Sequence, residues 1–269
     1  MTTVSSSIGD STIMFRRSLV RMKRYPSMTI MLVGFPLLFL LLFVYVFGGT
    51  LGAGLPGGGG DGVTGRAEYL AYVTPAIVLM AAASAAQGTA ISVAMDRTEG
   101  IVARFRTMPI SPGSILGGHV LGSLVQSLLG MAAILLVAVA LGFRPAADPA
   151  QWLALLILLV MVALAMTWLT VALGLLSRSV ETASNTPMFL IILPFLSSGF
   201  VPTESMPAGL SWFAQHQPFT PMIEGVRDLL AGTWDWATLG LAVGWCVLLA
   251  LVGYLWARSL FRRERTAPR

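Results

Sequence analysis

Ionisable side chains are so scarce in this 269-residue chain that each one able to do chemistry can be weighed singly. Within the long apolar runs the only such group besides Cys246 and the tyrosines is His119, near the end of one run. Ion-coupled carriers place titrating groups at mid-membrane, so a lone imidazole at a run's edge reads as a hydrogen-bonded interfacial residue before a proton relay. Lys23 is the one lysine, in Met22-Lys23-Arg24-Tyr25 with no glycines ahead of it, so the phosphate-cradling pattern G-x-x-x-x-G-K-[ST] cannot be built. Glu224, Arg227 and Asp228 fall together on a predicted outer helix, where a solvated charged face accounts for them. A single cysteine excludes an internal disulfide, and no acid pair, nucleophile–base pair or metal-ligand spacing appears. The sequence thus offers no catalytic residue and no metal site.

What remains is a charged island, Met95 to Pro112, between two apolar runs. Asp96 followed by Glu99 predicts a capping-box start, and Ile101, Val102, Phe105 and Met108 then share one arc beside Arg97 and Arg104 until Pro109. An amphipathic helix over 96–109 is expected, with Ser111-Pro112 launching the next apolar helix. Such a helix either lies on a bilayer surface or offers a soluble partner a contact point.

The elements around it are membrane. Hydrophobic residues make up 56% of the chain and charged ones 11%, with mean hydropathy +0.80, which excludes an ordinary soluble domain. Net charge +5 does not point to nucleic acid, because the basic residues flank apolar runs instead of forming a face. Six runs approach or exceed the roughly 20 residues a helix needs to cross a bilayer: 27–47, 69–95, 114–142, 152–176, 182–200 and 236–257. The predicted fold is an all-α integral membrane protein of six spans. Residues 1–26 form a cytoplasmic segment, 27–257 the membrane domain and 258–269 a basic tail. Before the first span, Ile8, Phe15, Leu19 and Met22 against Arg16, Arg17, Arg21, Lys23 and Arg24 describe a basic amphipathic helix on the membrane surface. Pro36, Pro75, Pro187 and Pro194 should bend their spans.

Fourteen of the 17 basic residues fall on one side, which places both termini and the island in the cytoplasm and requires an even span number. Across the membrane, 201–235 should hold a pair of short helices dipping into the outer interface. Trp212-Phe213 after Pro207 marks the first, and Thr220-Pro221 caps the second.

The N-terminal basic helix, the Arg97-Thr-Glu-Gly-Ile-Val-Ala-Arg-Phe-Arg-Thr-Met-Pro-Ile-Ser111 island, and Leu193-Pro-Phe-Leu-Ser-Ser-Gly-Phe-Val-Pro202 leading to Met206-Pro207 and Gln217-Pro-Phe-Thr220 together resemble the ABC-2 permeases of ATP-binding-cassette exporters, especially the daunorubicin-resistance type. The resemblance covers nearly the whole chain. It implies a permease of the inner (plasma) membrane that pairs with a second copy or a paralogue. Two separately encoded cytoplasmic ATPase subunits would bind ATP and Mg, with no cofactor in this chain. By the same resemblance the island is the coupling helix, giving Asp96, Arg97, Glu99, Gly100, Arg104 and Phe105 the ATPase contact, with Arg16, Arg17 and Arg21 as a second contact. Phe200, Pro202, Pro207 and Pro218 would form the outer gate. A cargo route is expected where the first, second and fifth spans of two copies meet, along Phe35, Phe39, Met80, Asn185, Met188 and Phe189, whose aromatic and methionine surface suits lipophilic drugs. Export of a lipid, glycolipid or polysaccharide is the rival within the family, and a non-transporting membrane scaffold or a secondary antiporter the rival outside it.

Overall fold

The computed structural model describes residues 26–53, 62–98 and 112–266, with side chains described over 30–52, 65–98 and 117–261. The N-terminal amphipathic helix with Arg16, Arg17 and Arg21, and the island residues Glu99, Gly100, Arg104 and Phe105, lie outside the described residues. Helix α1 (Pro26–Leu42) runs through a π-turn stretch (Phe43–Phe47) into α2 (Gly48–Ala53). Then come α3 (Gly62–Thr98), α4 (Pro112–Ala140) and α5 (Pro149–Leu176). Short pieces α6 (Val180–Asn185) and α7 (Met188–Ile192) follow, and a 3-10 turn (Leu193–Leu196). After a second 3-10 turn (Thr203–Ser205) come α8 (Ala208–His216), α9 (Phe219–Leu230) and α10 (Trp236–Thr266).

Among the described residues five helices are long and apolar enough to cross a membrane: Ile30–Gly52, Gly65–Thr98, Gly117–Ala140, Pro149–Leu176 and Trp236–Phe261. The expected run 182–200 differs. It is cut into α6, α7 and a 3-10 turn, with only Val180–Leu196 forming a shorter apolar stretch. Pro187 and Pro194 each lack the N–H that would continue the helix, and at this spacing they break it where bends were expected.

Helix α3 is the hub. Of its apolar window 83% is buried, against 17% for the windows of α1 and α10. The small residues Ala81, Ala82, Ala83, Ala85 and Ala86 let neighbouring backbones close in, which in hydrocarbon is where helix association gains its packing energy. At 37 residues and 1.5 Å per residue, α3 is about 55 Å long and outruns a hydrocarbon core of about 30 Å. Asp96 and Arg97 lie in its last turn.

Asp96 is consequently not the N-cap of a separate helix. It lies within the final turn of α3, where an aspartate cannot offer its carboxylate to free N–H groups ahead of it. Helix α4 begins at Pro112 as the Ser111-Pro112 pattern predicts. Helix α5 has a full capping box: Gln151 N donates to Asp148 Oδ1 (2.7 Å) while Asp148 N donates to Gln151 Oε1 (2.8 Å). Helix α10 packs along α5 at Gly253, where an added Cβ would sit 2.6 Å from Leu169 N, so a side chain there would force the two helices apart.

Trp152, Trp212, Trp234 and Trp236 are exposed at the bundle end formed by the α4–α5 turn, α8 and the start of α10, the placement of an interfacial aromatic belt.

Candidate functional site

Phenyl rings recur every four residues along α1 and the π-turn. Phe35 meets Phe39 (4.8 Å between centroids), Phe39 meets Phe43 (6.2 Å) and Phe43 meets Phe47 (5.6 Å). Phe195 and Phe200 close onto this ladder. They stack on each other at 4.5 Å and 6°, Phe195 lies edge-on to Phe39 at 5.3 Å, and Phe200 reaches Phe43 at 4.7 Å. The wall thus runs from Phe35, 47% exposed, to Phe200, 4% exposed. Asn185, Met188 and Phe189 are exposed on the neighbouring broken segment.

Met80 corrects the expectation that it shares this face: it is fully enclosed by the chain's own helices and cannot border a path between two copies. A groove of about 390 Å³ lies elsewhere, between α4 and α5, lined by Val125, Leu129, Leu135, Trp152, Leu156 and Leu159 among others. None of the expected cargo residues lines it, and its lining is aliphatic apart from Trp152.

The break after α7 frees backbone carbonyls that a continuous helix would pair. Side chains from α3, from α9 and from the α8–α9 junction take them. Gln217 Nε2 donates to Leu193 O (3.1 Å) and Leu196 O (2.7 Å). Tyr72 Oη donates to Ser198 O (2.7 Å), and Arg227 Nη2 donates to both Ser198 O (2.9 Å) and Tyr72 O (3.2 Å). Tyr69 Oη makes a longer contact of 3.3 Å with Phe200 O. The Arg227 guanidinium also lies 3.9 Å from the Tyr72 ring centroid. Burial pushes its pKa below the ordinary arginine value, opposed by Tyr72, Glu224 and Asp228. At the other break, Gln87 Nε2 donates to Ser184 O (2.6 Å).

Arg227 is therefore not part of a solvated charged face. Its helix, α9, is buried over nine of its 12 residues and packs into the bundle end, whereas only α8, with Trp212 and Phe213 exposed, has the character of an interfacial helix. Thr220 does not cap α9, which starts at Phe219 after Pro218; its hydroxyl donates back to Ala214 O. Phe200 is buried, Pro202 leads into the second 3-10 turn and Pro207 is an exposed residue opening α8.

At the opposite end of the bundle, Arg97 Nη1 donates to Leu175 O (2.6 Å) and Ser177 O (3.0 Å), holding the last carbonyls of α5 with a charge suited to a helix C-terminus. His119 Nε2 stands 3.1 Å from Asp96 Oδ2, joining the end of α3 to the first turns of α4. Among the described residues no three His, Cys, Asp or Glu side chains gather as a metal site, and Cys246 is a buried free thiol.

The profile of the ABC-2 type transporter family matches residues 11–231. The chain belongs to this family. It is similar to the daunorubicin resistance ABC transporter permease protein DrrB1 of Streptomyces coeruleorubidus, at 28% identity over 88% of this chain and 79% of that one. It is also similar to the probable doxorubicin resistance ABC transporter permease protein DrrC of Mycobacterium tuberculosis, at 26% identity over 68% of this chain and 62% of the relative. Nodulation protein J of Rhizobium leguminosarum bv. trifolii shares 31% identity over 70% of this chain and 71% of its own length.

In this ABC-2 permease the structure brings Phe35, Phe39 and Phe200 onto one wall, and sets Asp96 and Arg97 at the far end of the bundle. Sequence reasoning missed Tyr69, Tyr72, Gln217 and Arg227. A signal was available in Tyr69-x-x-Tyr72 at the start of a span together with a basic residue on the amphipathic segment Phe219–Leu230. Nothing in the spacing tells which carbonyls those side chains seek.

Proposed function

We propose that this ABC-2 permease is the membrane half of an exporter that moves a lipophilic or amphipathic small molecule outward, driven by ATPase subunits on separate chains. The observation that carries this reading is the phenyl ladder from half-exposed Phe35 to buried Phe200, an apolar wall that starts on an open face and ends beside the broken segment. Planar, greasy molecules stack on such rings without a charged group to bind them. The names of the drug-resistance relatives support the same class. A second copy or paralogue would complete the path against α1 and α7, with Asn185, Met188 and Phe189 on the facing edge.

In this reading the broken segment Val180–Leu196 counts as a sixth crossing, which returns both termini to the cytoplasm in agreement with the clustering of 14 of 17 basic residues. Asp96, Arg97, Glu99, Gly100, Arg104 and Phe105 would receive the push of the ATPase, with Arg16, Arg17 and Arg21 as its second contact. Phe200, Pro202, Pro207 and Pro218 belong to the outer gate. ATP binding by the partner shifts the permease only so far as it contacts the island differently in its two states.

The test is doxorubicin accumulation in inverted membrane vesicles that hold the permease with its co-expressed ATPase. ATP-dependent uptake that survives a protonophore is expected. Uptake that needs the proton gradient and not ATP would replace this reading with an antiporter. Absence of both uptake and cargo-stimulated hydrolysis would favour a scaffold. An altered envelope lipid profile in a deletion strain with unchanged drug sensitivity would move the cargo to a lipid or glycolipid.

A further inference from the structure

We propose that Arg227, together with Tyr72, Gln217 and Tyr69, is the latch that holds the outer end of the path closed by clasping backbone carbonyls between residues 193 and 200. This rests on the exporter reading, and it assigns the gate's closed state to side chains in place of the prolines and Phe200 alone.

Four observations converge. The segment after Pro194 leaves helical geometry at Ser197, whose backbone is extended, so its carbonyls have no helical partner. The carbonyls of Leu196, Ser198 and Phe200, and that of Leu193 inside the 3-10 turn, are met by side chains from α3 (Tyr69, Tyr72), from α9 (Arg227) and from the α8–α9 junction (Gln217). Arg227 is the centre of the set. One nitrogen bridges Ser198 O and Tyr72 O, its plane lies on the Tyr72 ring, and Tyr72 Oη returns to the same Ser198 O. The backbone there is also seated without slack: a Cβ on Gly199 would stand 2.6 Å from Ala76 Cβ on α3 and 3.1 Å from Ile223 Cδ1 on α9.

A carbonyl clasp of this kind suits a gate. Where water is excluded, a carbonyl left without a donor is costly, which keeps the clasp shut while the path is dry. Once water enters, it can replace each donor at small cost, so opening and wetting favour one another. A wall of phenyl rings alone supplies no such two-state contact. Phe200 and Phe195 ride on the clasped segment, so releasing it separates the end of the ladder from Phe43.

The experiment uses the full permease with its ATPase in membranes, carrying Val201→Cys beside the native Cys246, and measures maleimide addition by intact mass. In the parent without nucleotide, labelling at 201 is slow, and it accelerates with ATP. Arg227→Gln, Tyr72→Phe and Gly199→Ala should each raise the nucleotide-free rate at 201 about tenfold, the equilibrium shift that corresponds to about 1.4 kcal/mol. Arg227→Lys, which keeps the charge and loses the planar fork, should fall between parent and Arg227→Gln. Cys246 is 1% exposed in α10 and must stay unmodified. Two additions per chain would mean unfolding and would overturn the latch, as would unchanged labelling in Arg227→Gln and Tyr72→Phe while ATP still accelerates the parent. If ATP leaves the parent unchanged but the variants still open, the exporter reading fails and the latch stands.

Discussion

Replacing Arg97 with alanine separates two roles that one residue could have. The resemblance assigns it to contact with the ATPase, whereas its guanidinium holds Leu175 O at 2.6 Å and Ser177 O at 3.0 Å inside this chain. Both acceptor residues are buried, at 5% and 4% exposure. A hydrogen bond to a charged donor is worth about 1.5–3 kcal/mol when buried, and the helix end is close enough to water to discount the sum, so Arg97→Ala should cost about 2–4 kcal/mol. At roughly 2–4 °C per kcal/mol for a chain of this size, the apparent Tm in detergent should fall by about 5–10 °C. Arg97→Lys, able to reach one carbonyl at a time, should lose less. The assay is thermal unfolding of the purified permease, followed by ATP-driven uptake in vesicles at a temperature where both forms stay folded. A variant that melts with the parent yet has lost uptake would refute the capping account, because the guanidinium would then face a partner and not α5.

Gly253→Val places a side chain against the α5 backbone at Leu169, so the purified chain should aggregate or melt well below the parent; size-exclusion profiles after mild heating decide it. Phe195→Ala removes ring contacts to Phe39, Phe43 and Phe200, worth about 0.5–1.5 kcal/mol each, and should abolish most ATP-dependent doxorubicin uptake while leaving membrane insertion unchanged on immunoblots. Burial raises the pKa of Asp228 above its ordinary 3.8, with the Asp235 charge adding to it and Arg227 opposing. A carboxyl raised in the folded state favours folding at low pH, and that contribution is lost as pH climbs past 3.8 and through the raised value. Asp228→Asn should therefore melt above the parent near neutral pH, an advantage that shrinks on acidification. A melting point independent of this substitution at every pH would show that the carboxyl is solvated.

Legibility followed the physics of each signal. Span positions were readable because a stretch such as Trp152 to Leu176 has few other solutions than a helix in lipid. Pro187 and Pro194 announced distortion, but whether a proline bends or severs a helix depends on what satisfies the freed carbonyls, and Gln87, Gln217 and Arg227 come from elsewhere in the chain. Asp96 was misread because an acid three residues before another fits a capping box in any register, while the α3 packing that keeps the helix going through it is non-local. The same limit applied to Met80: a methionine in an apolar run reads alike whether it faces lipid or the core of its own bundle.

The sequence by itself determined that this is a membrane-embedded helical protein, since composition and run length answer to the bilayer and not to any partner. Only the tertiary structure decided what the few polar side chains do. Arg227 in the segment 201–235 and Arg97 at the end of a span are both basic residues near apolar runs, and counting charge cannot distinguish them from solvated anchors. Backbone carbonyls broken out of a helix need donors within about 3 Å, and which side chains arrive there is settled by three-dimensional proximity across more than a hundred residues, as between Tyr72 and Ser198.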